Sequence, residues 1–313
     1  MKIISVSNNR KFITMAILVL LACQAAPADE SASHQFMSLY SDGSVTPLMT
    51  IYIVNLAVVA ALMILGWLVS LYRKNVTVVD SLWGLGFIFI AWSSWYQADD
   101  TYGRQILLVG LTILWGVRLM AYLTWRNHGK GEDPRYAKWR QSSGNRFWLT
   151  SLFKVFLLQA LFLWVIALTI QAGQMSRQPS PLGLLDLIGT LVWLIGFIFE
   201  SVGDWQLVRF KAGPENRNQV MDRGLWRYTR HPNYFGECLM WWGLYLITLS
   251  DPNHWWTVAS PVVITVVLLK MTGIPLTEKL ILEKRPGYRE YIKNTPAFFP
   301  WVPKQREQYG ESP

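Results

Sequence analysis

Seven long, mostly apolar runs limit what this chain can fold into more than any other feature. They lie near 48–71, 81–98, 105–124, 149–171, 184–207, 235–250 and 255–274. A spanning helix needs about 20 such residues, because each advances about 1.5 Å through a hydrocarbon core about 30 Å thick. Inside that core a backbone must satisfy its own hydrogen bonds, which leaves the helix as the form for isolated runs. The expected fold is therefore all-α, a polytopic membrane bundle of about seven transmembrane helices. Composition agrees: 52% of residues are hydrophobic and only 16% charged, against a usual charged share of about 25%. Two cysteines, Cys23 and Cys238, lie too far apart for a ligand spacing, so neither a disulfide framework nor a zinc site is expected. Four histidines are too few for a histidine-rich di-iron site.

An eighth apolar run, Phe12 to Ala26, is short, follows Lys2, Arg10 and Lys11, and ends in small residues. That is the shape of a signal peptide, with an uncleaved first span as the alternative. The expected organisation is 1–28 as that leader or span, 48–303 as one membrane-embedded domain, and 304–313 as a tail.

Lysine and arginine set the orientation. Arg73 and Lys74 follow the first span, six cations from Arg126 to Arg146 follow the third, and six from Arg209 to Arg230 follow the fifth. The opposite loops carry Asp99, Asp100 and Asp251, with Arg104 and Arg177 as their positive residues. The positive loops are expected to face the cytoplasm of a bacterial inner membrane. Topology thus accounts for the net charge of +9, and nucleic acid is not an expected partner.

Ionisable groups within spans are costly and mark function by default. Asp80 opens the second span. Arg118 and Tyr122 stand four apart, hence on one helical face, as do Glu200 with Asp204 and Glu237 with Trp241. The structural alternative pairs Arg118 with Asp80 or Glu200, and Glu237 with Arg209. A water-filled cavity open to the cytoplasm accounts for all of them together. The densest signal is the stretch from Arg209 to Glu237, which mixes Arg, Lys, Asn and His with aromatics, while Gly and Pro fix its turns. Guanidinium forks match phosphate oxygens, so the set suits a phosphate-bearing nucleotide. A site for anionic headgroups would need charge, but would give no reason for Asn233, Tyr234 and Glu237. No G-x-G-x-x-G is present, which excludes a Rossmann site.

The run Gly224-Leu225-Trp226-Arg227-Tyr228-Thr229-Arg230-His231-Pro232-Asn233-Tyr234-Phe235-Gly236-Glu237 resembles the signature of the steroid 5-alpha-reductase family, in particular its bacterial branch. Its Arg-His-Pro-Asn-Tyr core is also similar to the sterol C14- and C7-reductases. The likeness extends through Asp80-Ser81-Leu82-Trp83-Gly84, Trp115 to Leu119, Tyr288 to Tyr291 and Pro300-Trp301, and so covers about residues 50–303. The resemblance implies an all-helical membrane reductase that binds NADPH from the cytoplasm and reduces a C=C bond conjugated to a carbonyl in a lipophilic small molecule. By that resemblance Asn233 falls at the nicotinamide-side asparagine, with Glu237 and Trp241 following. Glu200 and Asp204 match a polar pair of the cofactor pocket, and Lys211 stands near the phosphates. Arg118, Arg126, Asn216, Arg227, Arg230, His231 and Tyr234 complete the expected cofactor contacts. Tyr122 and Asp80 are the expected catalytic pair, the phenol and acid that meet the substrate carbonyl. Two departures stand out: Val79 precedes Asp80 where the steroid enzymes have Gln before Glu, and Asn218 lies near the place of a family tyrosine.

Two other readings remain open. Integral-membrane methyltransferases of the isoprenylcysteine or phospholipid type carry a similar Arg-His-Pro-x-Tyr motif and bind S-adenosylmethionine; here the later acidic element is the single Glu278. A non-catalytic protein that binds membrane lipids is the third.

Overall fold

In the computed structural model, residues 45–98, 102–176, 181–285 and 287–303 are described. The expected leader or span at 1–28 and the tail at 304–313 lie outside them. No strand occurs among the described residues, and the helices form a polytopic membrane bundle. In order they are α1 (Val45–Arg73), α2 (Val78–Tyr96), α3 (Gly103–Asn127), α4 (Pro134–Ser143), α5 (147–166), α6 (Leu168–Gly173), α7 (Leu184–Ala212), α8 (Pro232–Thr248), α9 (Ala259–Val266), α10 (Ile274–Leu282) and α11 (Tyr288–Asn294).

Six helical stretches among the described residues are long and apolar enough to cross a membrane: Met49–Arg73, Val78–Tyr96, Gly103–Asn127, Pro134–Ile166, Leu184–Ala212 and Pro252–Leu282. The sixth expected run, 235–250, is the 17-residue α8, about 25 Å long at the helical rise and shorter than a core of about 30 Å. The 149–171 run is interrupted near its end: Ala167 is a turn residue between α5 and the short α6, although its amide donates to the Leu163 carbonyl and its carbonyl accepts from the Gln171 amide, both at 2.9 Å.

The described residues divide into two compact units. One runs to Asp186 and includes Ile247–Ser260; the other comprises Leu187–Leu246 and the chain from Pro261 onward. In the first unit, α2 and α3 approach until a Cβ on Gly84 would stand 2.3 Å from the Gly116 carbonyl oxygen. Only glycine permits such backbone contact, and small residues are how membrane helices gain packing without a hydrophobic drive between them. Polar side chains add cohesion: buried Asn55 donates to Ser94 Oγ at 2.7 Å and to Gln171 Oε1 at 3.1 Å. Arg104, read as a loop charge in the sequence, is instead buried, and donates to both oxygens of Asp186 at 2.7 and 2.8 Å.

In the second unit α7 and α8 run antiparallel in close contact. A Cβ on Gly243 would lie 2.6 Å from the Gly189 carbonyl, and one on Gly236 would lie 2.4 Å from that of Gly196. This approach sets the backbone of Glu200 against Gly236, at the first turns of α8.

Candidate functional site

Both units gather polar groups that the sequence singles out, and each is described on its own. In the first unit, Asn75 Oδ1 accepts from the Thr77 amide at 2.9 Å and starts α2, which places Asp80 in its first turn. A guanidinium nitrogen of Arg126 stands 3.7 Å from Asp80 Oδ2. Arg126 also lies over the Tyr122 ring at 5.7 Å, and Arg118 lies over the same ring at 5.2 Å. Asp80 and Tyr122 are thus linked through Arg126.

The connection into α4 closes this end of the first unit. Asp133 Oδ1 caps the helix by accepting from the Arg135 amide, and its amide donates to Thr77 Oγ1, both at 2.8 Å. Pro134 at the first helical position has no N–H to leave unpaired. Burial alone would raise the Asp133 carboxyl, but the side-chain and backbone bonds from Arg135 outweigh it, and the net shift is downward. Glu132 shows the same balance, its burial outweighed by Arg140 at 2.7 and 2.9 Å and by the Val76 amide at 2.8 Å. Both carboxylates therefore stay charged and engage Arg135 and Arg140, two of the six cations that the sequence assigns to topology.

A group missed in the sequence sits beside Asp80. Trp83, one turn further along α2, donates from Nε1 to Gln159 Oε1 at 2.6 Å. Because indole N–H only donates, the other arm of that amide is its NH2, and Gln159 lies within hydrogen-bonding reach of the Tyr136 phenol. Tyr136 is half-buried, like Asp80 and Gln159. Its only sequence signal is an aromatic residue amid a basic stretch, and spacing does not reveal a partner on another helix.

In the second unit, the loop after α7 folds back along that helix. Asn216 donates from Nδ2 to the Phe210 carbonyl at 3.0 Å and closes the helix end. Trp226 donates from Nε1 to the Gly203 carbonyl, and the Leu225 amide donates to Gln206 Oε1, each at 3.0 Å. Gly224 has φ +59°, and a Cβ there would meet the Gln206 amide at 2.4 Å, so glycine is required.

The Arg-His-Pro-Asn-Tyr segment then enters α8. Arg230 Nε donates to Glu278 Oε1 at 2.7 Å, while Nη1 donates to the carbonyls of Ile292 and Thr295. His231 Nε2 lies 3.1 Å from the same Glu278 oxygen, and its ring stacks on Tyr234 with centroids 5.2 Å apart. Burial holds the imidazole below its ordinary pKa against the pull of Glu278, so His231 is a neutral donor at pH 7. Tyr234 OH lies 3.1 Å from Thr277 Oγ1. These three side chains thus bind α10 and the C-terminal end of α11. Glu278, which the sequence reading mentions only as a lone acid, is the hub.

One turn further in, Asn233 donates from Nδ2 to Asp204 Oδ1 at 3.2 Å, while its own carbonyl oxygen is buried with no hydrogen-bond partner. Ser201 Oγ is likewise buried and unpartnered. Glu200 and Asp204 are buried, Trp241 is fully buried, and Lys211, Arg217, Arg223 and Arg227 are exposed. Among the described residues no group of three or more His, Cys, Asp or Glu could hold a metal ion.

Residues 66–295 match the family described as "Protein of unknown function (DUF1295)". The chain belongs to that family. It is also similar to an uncharacterized protein of Schizosaccharomyces pombe, 28% identical over 265 residues, an alignment covering 75% of each chain. No solved structure gives a significant match.

Proposed function

We propose that this DUF1295 protein is an NADPH-dependent membrane reductase acting on a C=C bond conjugated to a carbonyl in a lipophilic substrate. The observation that carries the reading is the orphaned Asn233 carbonyl oxygen. A buried acceptor left without a donor costs about 1–3 kcal/mol, and a ligand N–H at that point recovers the loss. The carboxamide of a nicotinamide offers such a group. Asp204 fixes which way the Asn233 amide faces, because its oxygen takes the Nδ2 donor and leaves the acceptor for the ligand.

The remaining residue types fit the same cofactor. Lys211, in the last turn of α7, and Arg227, in the loop after it, are exposed and match phosphate oxygens. Arg230 and His231 are engaged by Glu278, and so shape the segment that carries Asn233. The likeness of that segment to the steroid 5-alpha-reductase signature supports the reading, and the positive charge of this loop suits the cytoplasmic side of a membrane. NADPH, when bound, supplies the hydride.

The resemblance assigns the phenol and the acid of the chemistry to Tyr122 and Asp80. Negative charge builds on a carbonyl oxygen as its conjugated double bond is reduced, and a neutral phenol stabilises it by hydrogen bonding and returns a proton. Tyr122 is held between two guanidinium groups, and Asp80 shares Arg126 with it. The polarised Tyr122 hydroxyl is the donor, and Asp80 positions Arg126.

Titration of the purified protein in detergent tests the reading, with its 17 tryptophans as reporters. NADPH is expected to quench their emission saturably, and Asn233→Ala to weaken that quenching. Quenching by S-adenosylmethionine with none by NADPH would replace the reductase with a methyltransferase.

A further inference from the structure

The stretch after α11 presents apolar side chains that the fold holds outward. Phe299, Trp301 and Val302 are 72%, 75% and 72% exposed, although the backbone that carries them is pinned. The Arg230 amide donates to the Pro296 carbonyl at 2.9 Å, Thr229 Oγ1 to that of Phe298 at 2.8 Å, and the Trp301 amide to that of Tyr228 at 2.9 Å. Phe298 turns inward, its ring centroid 5.5 Å from that of Phe235. Pro300 and Pro303 restrict φ on either side of the exposed pair. Such a segment is a rigid spur, not a loose end.

Helix α7 supplies a depth scale for the spur. Its 29 residues span about 43 Å, whereas the hydrocarbon core takes up about 20 residues. Outward-facing Leu187, Leu191, Ile195 and Ile198 form its lipid-facing stretch. Past them, exposed Trp205 carries the Arg209 guanidinium 4.8 Å above its ring. A tryptophan capped by a cation at the end of an apolar stretch marks the headgroup level. The 224–229 loop hydrogen-bonds to this same turn, at Gly203 and Gln206, and the spur hangs from that loop. Depth thus passes from α7 to the loop, and from the loop to Trp301, through bonds within one unit. The loop also exposes Arg223, a cation suited to anionic headgroups.

We propose that residues 298–303 form an interfacial anchor. Phe299, Trp301 and Val302 insert into the headgroup–acyl boundary of the leaflet at the Ala212 end of α7, with Arg223 on anionic lipid phosphates. The anchor pins the Arg-His-Pro-Asn-Tyr segment to the membrane surface by way of Tyr228 and Thr229. It does not depend on which reaction the protein carries out.

The test uses the full chain with Cys23→Ser and Trp301→Cys, labelled with an environment-sensitive fluorophore; Cys238 is buried and does not react. The protein is reconstituted in vesicles of phosphatidylcholine with phosphatidylglycerol. Val302→Cys repeats the measurement with Trp301 intact, and Arg217→Cys provides an exposed reference in the same loop. Shallow nitroxide lipids are expected to quench the 301 and 302 labels at least about threefold more strongly than the 217 label, as for groups buried about 5–10 Å into the interface. Aqueous iodide is expected to show the reverse order. Iodide quenching at 301 and 302 equal to that at 217 would overturn the anchor. Shielding from both quenchers would overturn it too, and would assign the spur to a protein contact.

Discussion

Arg104 and Arg230 are both buried cations, one in each unit, and they are used differently. Arg104 meets one partner, Asp186, with a bidentate pair. Arg230 reaches Glu278 and two backbone carbonyls, while His231 shares the carboxylate. The first is a rivet between helices. The second organises a segment, because carbonyls in the last turn of α11 and just after it need its donors. A charge within a membrane protein is a functional candidate by default, but its partners decide what kind. Neither arginine has a guanidinium left over for a ligand, whereas Asn233 does have an acceptor to spare.

The largest effects are expected at these two arginines, and they should differ in how they are rescued. Removing one partner of a buried pair costs about 3–5 kcal/mol, whereas replacing both by apolar residues is often neutral. Arg104→Met should therefore lower thermal stability in detergent sharply, and Arg104→Met with Asp186→Leu should restore most of it. Arg230→Met should be as damaging, yet adding Glu278→Leu should not restore it, because the Ile292 and Thr295 carbonyls remain without donors. Equal rescue at both sites would erase the distinction.

Next in size are the proposed donor, Tyr122, and the acid that positions Arg126 beside it. Tyr122→Phe and Asp80→Asn are each expected to slow NADPH-dependent turnover of a lipophilic enone by about 10²-fold or more, with NADPH quenching of tryptophan emission retained. Unchanged turnover in both would remove these residues from the chemistry. In the second unit the effect should fall on binding instead: Asn233→Ala is expected to weaken NADPH about tenfold, or about 1.4 kcal/mol, with little change in the melting curve. A large fall in melting temperature would make Asn233 a structural residue.

The smallest effect concerns His231. Its folded pKa lies below the ordinary value because of burial, so between that folded value and about 6.5 the unfolded chain binds the extra proton. Stability should decline as pH falls below about 6.5 and level off beneath the folded pKa. His231→Gln should flatten this decline in melting scans from pH 7.5 to 5. An unaltered pH profile would show that the ring titrates normally.

Much of the fold is legible in the chain. The helices of the first three expected spans lie within a few residues of their sequence limits, and Arg118 and Tyr122 do share a face. Other features are not. Arg104 and Asp186 are 82 residues apart, and nothing local to either marks it as paired; the loop-charge reading of Arg104 follows from counting cations near span ends. Glu278 lies 48 residues from Arg230, and Gln159 lies 76 from Trp83. These pairings come from helix packing, which hydropathy does not encode, since lipid-facing and protein-facing apolar residues look alike.

The residue order alone determined that this chain is a set of membrane helices and where most of them begin and end, because hydrocarbon offers no hydrogen bonds to an unpaired backbone. Only the tertiary structure decided which polar side chains are committed to holding helices together and which keep an unsatisfied atom. That choice rests on donors and acceptors tens of residues away, brought within about 3 Å by packing. Asn233 and Arg230 stand three residues apart in one motif and end with opposite roles, for that reason.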